Sequence, residues 1–334
     1  MLYRPVKIGS LELPGNLFLA PVAGYTDRAF RSLCIEQGAD FSFTELISAE
    51  ALSRQSAGTT DRKTAYLLRR AENEKKYAIQ LFGSQPESIY KAAALLAPLR
   101  PDAVDINAGC PVPKVVKNGA GSALMKNPAN LGKVVEAAVR ASHESLGGVP
   151  VTVKIRSGWD SSSINFMECA RIAVEAGAQM VTLHPRTRAQ FYGGKSNWAH
   201  IAELAASIAV PVTGSGDLFA PQDAVNMLQE TGCAAVMFAR GSMGNPFIFS
   251  AARSFMETGS WETVSFAARI TAAMRHLEML SADIGEHTAC LEMRKQFCAY
   301  TKGLKGGAAL RDNLVHAKTI DEYRQLICEF DHID

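Results

Sequence analysis

The segment VDINAGCPVPKVVKNGAGSALMKNP (residues 104–128) carries one thiol, Cys110, at the mouth of a long loop that also holds Lys114 and Lys117. Pro111 and Pro113 fix their own φ and bias their predecessors to extended backbone, so the thiol rides on a stiffened projection outside any helix. Gly119 and Gly121 allow the next turn to bend back. Three roles are open to such a thiol: a small turn residue without chemistry, a nucleophile, or a proton donor. No Ser/Cys-His-Asp pattern nearby would activate a nucleophile. Proton donation is the other chemical choice.

Further groups able to bind or react recur at the ends of short apolar runs. They are Pro21-Val22-Ala23-Gly24, Glu45, Gln80, Asn107, Lys154 with Arg156, His184 with Arg186 and Arg188, Gly214-Ser215-Gly216-Asp217, and Ala239-Arg240-Gly241. Lys154 sits in the apolar run VTVKI and needs an anionic partner, because an unpaired buried ammonium is costly. That partner is either a carboxylate in a structural salt bridge or a ligand, such as the N1–C2=O edge of a flavin, where negative charge gathers on reduction. His184 and Gln80, taken singly, read equally well as satisfied core residues. The glycines at 214, 216 and 241 can expose backbone N–H groups of the kind that bind phosphate. Phosphate turns, one cation and several uncharged donors together suit FMN. The stretch GSGDLF half-matches the dinucleotide pattern GxGxxG, but Phe219 stands at its last glycine, and a Rossmann turn is rejected there.

To converge, these groups need a common frame. Short β-type runs at 17–21, 41–45, 77–82, 102–107, 151–155, 179–184, 210–214 and 235–239 alternate with helical patterns such as 86–98, 128–145, 164–176, 197–208 and 220–230. Continuous apolar strands separated by helices predict a parallel sheet covered on its outer side. Eight such strands predict a (β/α)8 TIM barrel, whose site is built from the C-terminal strand ends. A doubly wound sheet is the alternative. VKIGSLEL reads as a small hairpin outside the repeat. Strand signals stop near residue 250, and residues 262–334 read as helices only, with breaks at Gly285 and KGLKGGAA. The expected organisation is an FMN-binding α/β barrel over 1–250 and a small all-α helical bundle over 251–334.

Size and composition agree. A chain of 334 residues that is 47% hydrophobic can bury a large core, and a net charge of +2 makes any nucleic-acid surface local. No apolar run is long enough to span a membrane, and MLYRPVKIGSLELPGN lacks the pattern of a secretory signal. The seven cysteines are scattered, without a CxxC pair. That points to reduced thiols in a cytoplasmic protein, and away from a disulfide framework, a metal site or an iron–sulfur cluster.

The whole chain resembles the bacterial tRNA-dihydrouridine synthases, and within them the DusB-like branch. The resemblance is carried by APVAGYTDRAFR (20–31), QLFGS (80–84), DINAGCPVPKVVKNGAGSALMKNP (105–128), VKIRSGW (153–159), LHPRTRAQFYGGKSNW (183–198), GSGD (214–217) and MRKQFCAYTKGL (293–304). It implies a barrel holding FMN, a C-terminal helical bundle, NADPH as reductant and a uridine of the tRNA D-loop as substrate. By the same resemblance Pro21, Val22 and Ala23 line the flavin, and Gln80, Lys154 and His184 touch its ring system. Ser215, Gly216 and Asp217, with Ala239, Arg240 and Gly241, hold its phosphate. Cys110 is then the general acid, and Asn107 and Arg156, with Arg186 and Arg188, hold the uracil. Three positions depart from the family's usual pattern: Ser215 replaces Asn, Ala239 replaces Gly, and Pro185 follows His184 in place of Gly.

The resemblance also implies a mechanism, in which hydride reaches uracil C6 from flavin N5 and Cys110 protonates C5. The base must be extruded from the folded tRNA to be reached. Residues 291–318 carry six basic side chains (Arg294, Lys295, Lys302, Lys305, Arg311, Lys318) against Glu292 and Asp312. This is either a solvated helix face or a tRNA phosphate surface led by Arg294 and Lys295. Nothing implies a membrane or a protein partner. Two rivals remain: an FMN barrel acting on a free pyrimidine, like dihydroorotate dehydrogenase, and a non-catalytic tRNA-binding barrel. The first has no use for the basic helices, and the second none for Cys110 and Lys154.

Overall fold

A computed structural model describes residues 2–55, 61–304 and 306–331; Lys305 of the basic stretch lies outside the described residues. A two-stranded antiparallel hairpin, β1 (Val6–Ile8) and β2 (Leu11–Leu13), precedes the main sheet. Its apolar residues alternate with Lys7 and Glu12, so one face is buried and the other is wet. The buried face joins Phe18, Phe41, Phe43, Met180 and Met237 in a cluster that plugs the barrel interior from below.

The strands that follow are β3 (Leu17–Leu19), β4 (Phe41–Phe43), β5 (Ile47–Ser48), β6 (Tyr77–Phe82), β7 (Ala103–Ala108), β8 (Val151–Gly158), β9 (Met180–Thr187), β10 (Val212–Ser215) and β11 (Ala235–Phe238). Each of the eight main strands pairs in parallel with its neighbours, and the β4–β6 and β3–β11 pairings close the ring. This is the expected (β/α)8 barrel. The short β5 is an addition beside the end of β6 that the sequence pattern did not mark. Helices Pro86–Ala94, Pro128–Ser145, Phe166–Glu175, Trp198–Ser207 and Pro221–Thr231 fall where the periodicity placed them.

The barrel makes a site because strand residues alternate faces. Along β8, Val151, Val153 and Ile155 join the outer apolar cluster against the helices, which leaves Thr152, Lys154 and Arg156 pointing inward. Val181 and Leu183 of β9 do the same for Thr182, His184 and Arg186. Register then sets polar groups abreast: Gln80 beside Asp105, Asp105 beside Thr152, Asn107 beside Lys154, and Arg156 beside His184.

Residue 250, the expected end of the barrel, falls within the helix Ile248–Thr258, which stops at Gly259 with φ +76°. The C-terminal helices are Phe266–Ile284, Glu286–Tyr300, Gly307–Leu314 and Ile320–Asp331. They dock on the barrel near its first helix, Arg28–Glu36, through Arg28–Asp283 (2.7 Å) and Arg275–Glu36 (2.8 Å). Among the described residues no helix is long and apolar enough to cross a membrane.

Candidate active site

A cavity of about 400 Å³ opens at the C-terminal mouth of the barrel. Its wall includes Pro21, Val22 and Ala23 after β3, Asn107 and Cys110 after β7, Lys154 and Arg156 on β8, and His184 on β9. Ser215–Asp217 and Ala239–Gly241 complete it. A larger groove, about 650 Å³, runs along the barrel flank by Phe166 and Arg171. It touches none of the expected site residues, so we place the site at the mouth.

Lys154 is the electrostatic centre of the cavity. Among the described residues it makes no ion pair and no hydrogen bond, which removes the structural salt-bridge reading. Burial, joined by the neighbouring guanidinium of Arg156, pulls its pKa down to about 8, while Asp105 and Cys110 act in the opposite direction. An ammonium in this state gains from any anionic group that enters the cavity.

His184 is nearly buried, and burial together with the Lys154, Arg156, Arg186 and Arg240 cations holds its pKa well below the ordinary value. It is neutral at pH 7. Arg186 Nη1 lies 3.3 Å from its Nε2 and can only donate, so Nε2 accepts and the proton rests on Nδ1.

Cys110 is half-buried. Burial raises its pKa above the ordinary thiol value, against the lowering pull of the Val112 N–H, Arg156 and Lys154. The thiol therefore stays protonated near neutrality, which suits an acid and not a nucleophile. Its backbone is clamped on both sides. Its N–H donates to Asn107 Oδ1 (2.9 Å), and its carbonyl accepts from Ser122 N (3.0 Å) and Ser122 Oγ (2.9 Å). Gly121, at φ +60°, is required beneath it, since a Cβ there would stand 2.7 Å from the Cys110 carbonyl oxygen.

The turns expected to bind phosphate also line the cavity. Neither Gly216 (φ +110°) nor Gly241 admits a Cβ, which would meet Ser196 Oγ at 2.4 Å and the Leu218 carbonyl at 2.0 Å, respectively. These bare turns and the unpaired Lys154 fit a phosphorylated, electron-accepting ring cofactor such as FMN. Asp217 adopts φ +57° and aims its carboxylate at Arg186 (2.7 and 2.8 Å) and Arg240 (3.2 Å). Its side chain therefore organises arginines and does not itself face a phosphate.

Several expected contacts are relocated. Gln80 is fully buried, with Nε2 on Asp105 (2.5 Å) and Oε1 accepting from Asn107 (2.9 Å), and it does not line the cavity. Arg186 is buried and spent on Asp217 and the carbonyls of Gly193 and Gly194, so it is not offered to a base. Arg188 lies over Trp159 (4.7 Å), a ring that Lys126 also approaches (4.6 Å), outside the cavity. Arg156 does line it, and it also binds the carbonyls of Gly109, Thr187 and Phe191. Lys295 lies over Tyr25 and beside Gly24, whereas its neighbour Arg294 has its Nε buried.

One cavity residue, Tyr192, carries no sequence signal of its own. Tyr192 is 51% exposed and lies beside Arg240 (4.8 Å), Arg156 (5.8 Å) and the His184 ring (6.4 Å). It stands in the FYGG run after β9, where nothing distinguished it from a surface aromatic. Glu45 is pushed up to about 7 by burial and accepts from Gly24 N (2.6 Å), behind the cavity loop.

The family model for dihydrouridine synthase (Dus) matches residues 18–332. The chain belongs to the dihydrouridine synthase family. It is 48% identical over 331 residues to a probable tRNA-dihydrouridine synthase of Treponema pallidum, covering 98% of this chain and 96% of that one. A probable tRNA-dihydrouridine synthase of Mycobacterium tuberculosis is 36% identical, covering 98% and 85%. The old yellow enzyme homologue of Zymomonas mobilis superposes with a TM-score of 0.56 at 12% identity, over 80% of this chain and 96% of that one. That last likeness shows a shared barrel fold. Family membership gives the chain its chemistry, the reduction of a uridine ring.

Proposed function

We propose that this dihydrouridine synthase reduces the C5=C6 bond of D-loop uridines in tRNA, with FMN in the mouth cavity, NADPH as reductant, and a place in the DusB-like branch. The convergence of the protonated thiol of Cys110 and the unpaired ammonium of Lys154 on one cavity carries this reading. The printed names of its relatives support tRNA as the substrate. Bound there, FMN would supply hydride to the uracil ring. Lys154 would hold the negative edge of the cofactor, and the turns at 215–217 and 239–241 would hold its phosphate.

The remaining steps belong to the chain. An extruded uracil enters beside Cys110, which gives its Sγ proton to C5; water then reprotonates the thiolate. Among the described residues Arg156 keeps Nη2 without a protein acceptor, so it can hold a uracil carbonyl while its other nitrogens stiffen the loops. Asn107 has both ends of its amide engaged and shapes the pocket floor. Lys295, beside the cavity loop, leads the surface for tRNA phosphates, in a helical domain over 251–334 that follows the barrel over 1–250. The test is to map dihydrouridine in tRNA from cells lacking this protein, with wild type and Cys110→Ala as complements. Loss of specific D-loop dihydrouridines, restored by wild type alone, is expected; an unchanged map overturns the proposal.

A further inference from the structure

We infer that Asp105, deep in the barrel, is the positioning residue that sets the orientation of the Cys110 loop through a chain of side-chain hydrogen bonds of fixed polarity. This rests on reading Cys110 as the proton donor. Asp105 Oδ1 accepts from Thr152 Oγ1 (2.5 Å), and Oδ2 accepts from Gln80 Nε2 (2.5 Å). A carboxylate only accepts, so Gln80 must turn its NH2 toward it and its Oε1 outward. That oxygen accepts from Asn107 Nδ2 (2.9 Å), which leaves Asn107 Oδ1 facing up the barrel. Oδ1 accepts from Gly109 N (3.2 Å) and Cys110 N (2.9 Å). Both amides in the relay could flip if isolated; the carboxylate at its base breaks the ambiguity.

Asp105, Gln80 and Thr152 are all wholly buried, and Asp105 and Gln80 lie outside the cavity lining, so they act through Asn107 and not on a ligand. Polarity separates this role from simple charge balance with Lys154. Asp105→Asn removes the charge but can keep the relay: its amide oxygen still accepts from Gln80, while its NH2 donates to the Thr152 hydroxyl oxygen. Asp105→Leu keeps the bulk and removes the acceptor.

The experiment uses the flavin-loaded enzyme and reads three quantities: iodoacetamide alkylation of Cys110, resolved by peptide mass spectrometry; flavin reduction by NADPH; and uridine reduction in a tRNA transcript. In Asp105→Leu, Cys110 alkylation should change several-fold and uridine reduction fall by about tenfold or more, while flavin reduction stays near wild type. Asp105→Asn should track wild type in all three. Gln80→Met, which cuts the relay one step higher, should reproduce the Leu pattern and serves if the Leu variant does not fold. Wild-type alkylation and uridine reduction in both Leu and Met variants would overturn the inference, as would an Asn variant as impaired as Leu. If wild type reduces no tRNA uridine yet the alkylation pattern holds, the positioning role stands and the proposed substrate fails.

Discussion

His276 of the helical domain and Asp27 of the barrel meet inside the seam between them, with Nε2 at 3.1 Å from both carboxylate oxygens. Asp27 also caps the helix Arg28–Glu36 by accepting from Phe30 N (2.9 Å), directly after the loop that carries Pro21, Val22 and Ala23. Gln296 donates to the carbonyls of Gly24 (3.4 Å) and Tyr25 (3.2 Å) from the same side. The helical domain therefore braces the cavity wall.

Removing His276 should loosen that brace. Burial alone would raise the Asp27 pKa, but His276, the Phe30 N–H and Arg31 outweigh it and hold the carboxyl below its ordinary value. A depressed carboxyl contributes stability above its unfolded pKa and loses it as pH falls through the folded value. His276→Ala should cost about 3 kcal/mol at pH 7, because it strands a buried carboxylate, and much less in acid. Urea unfolding of both proteins at pH 7 and pH 3 measures the difference.

Lys154 should trade stability for binding. Its pKa falls from 10.5 to about 8 in the folded protein without ligand, so it opposes folding at neutral pH and ceases to do so as pH rises from about 8 to 10.5. Lys154→Met should therefore stabilise the flavin-free protein, by about 2 kcal/mol after discounting for residual exposure. It should also weaken FMN binding by about tenfold or more. Thermal melts of the flavin-free proteins and fluorescence titration with FMN read the two effects separately.

Cys110 should behave as a reluctant thiolate. Its raised pKa predicts slow alkylation at pH 7, accelerating only above the ordinary thiol range. Cys110→Ala should abolish uridine reduction to within about a hundredth of wild type while retaining bound flavin and its reduction by NADPH. Stopped-flow measurement of the two half-reactions checks both statements.

Lys295 and Arg294 should part company. Lys295 faces the cavity loop, and Lys295→Glu should weaken tRNA binding and lower the slope of log K against log salt by about 1. Arg294 has its Nε buried within the helical domain, so Arg294→Glu should lower stability and leave the salt slope near wild type. Filter binding across a salt series, with melting temperatures, distinguishes them.

Much of this was legible before any coordinates. Alternating strand and helix periods gave a parallel sheet covered by helices, and the count of eight strands favoured the barrel over a doubly wound sheet. Cys110 between Asn107 and Pro111 marked the reactive loop, and Lys154 in an apolar strand marked a charge in need of a partner. The expected barrel end at 250 falls inside the helix Ile248–Thr258, which has ordinary amphipathic composition and no break until Gly259.

What the chain order determined by itself was which residue types face inward, because strand alternation is local and repeats every two residues. Which of those residues remain free for a ligand was decided only in three dimensions. Gln80, Arg186 and Asp217 spend their polar groups on partners from neighbouring strands and loops, while Lys154 finds none among the described residues. The partners that satisfy Gln80 and Asp105 lie 25 to 47 positions away and are brought abreast by the parallel register.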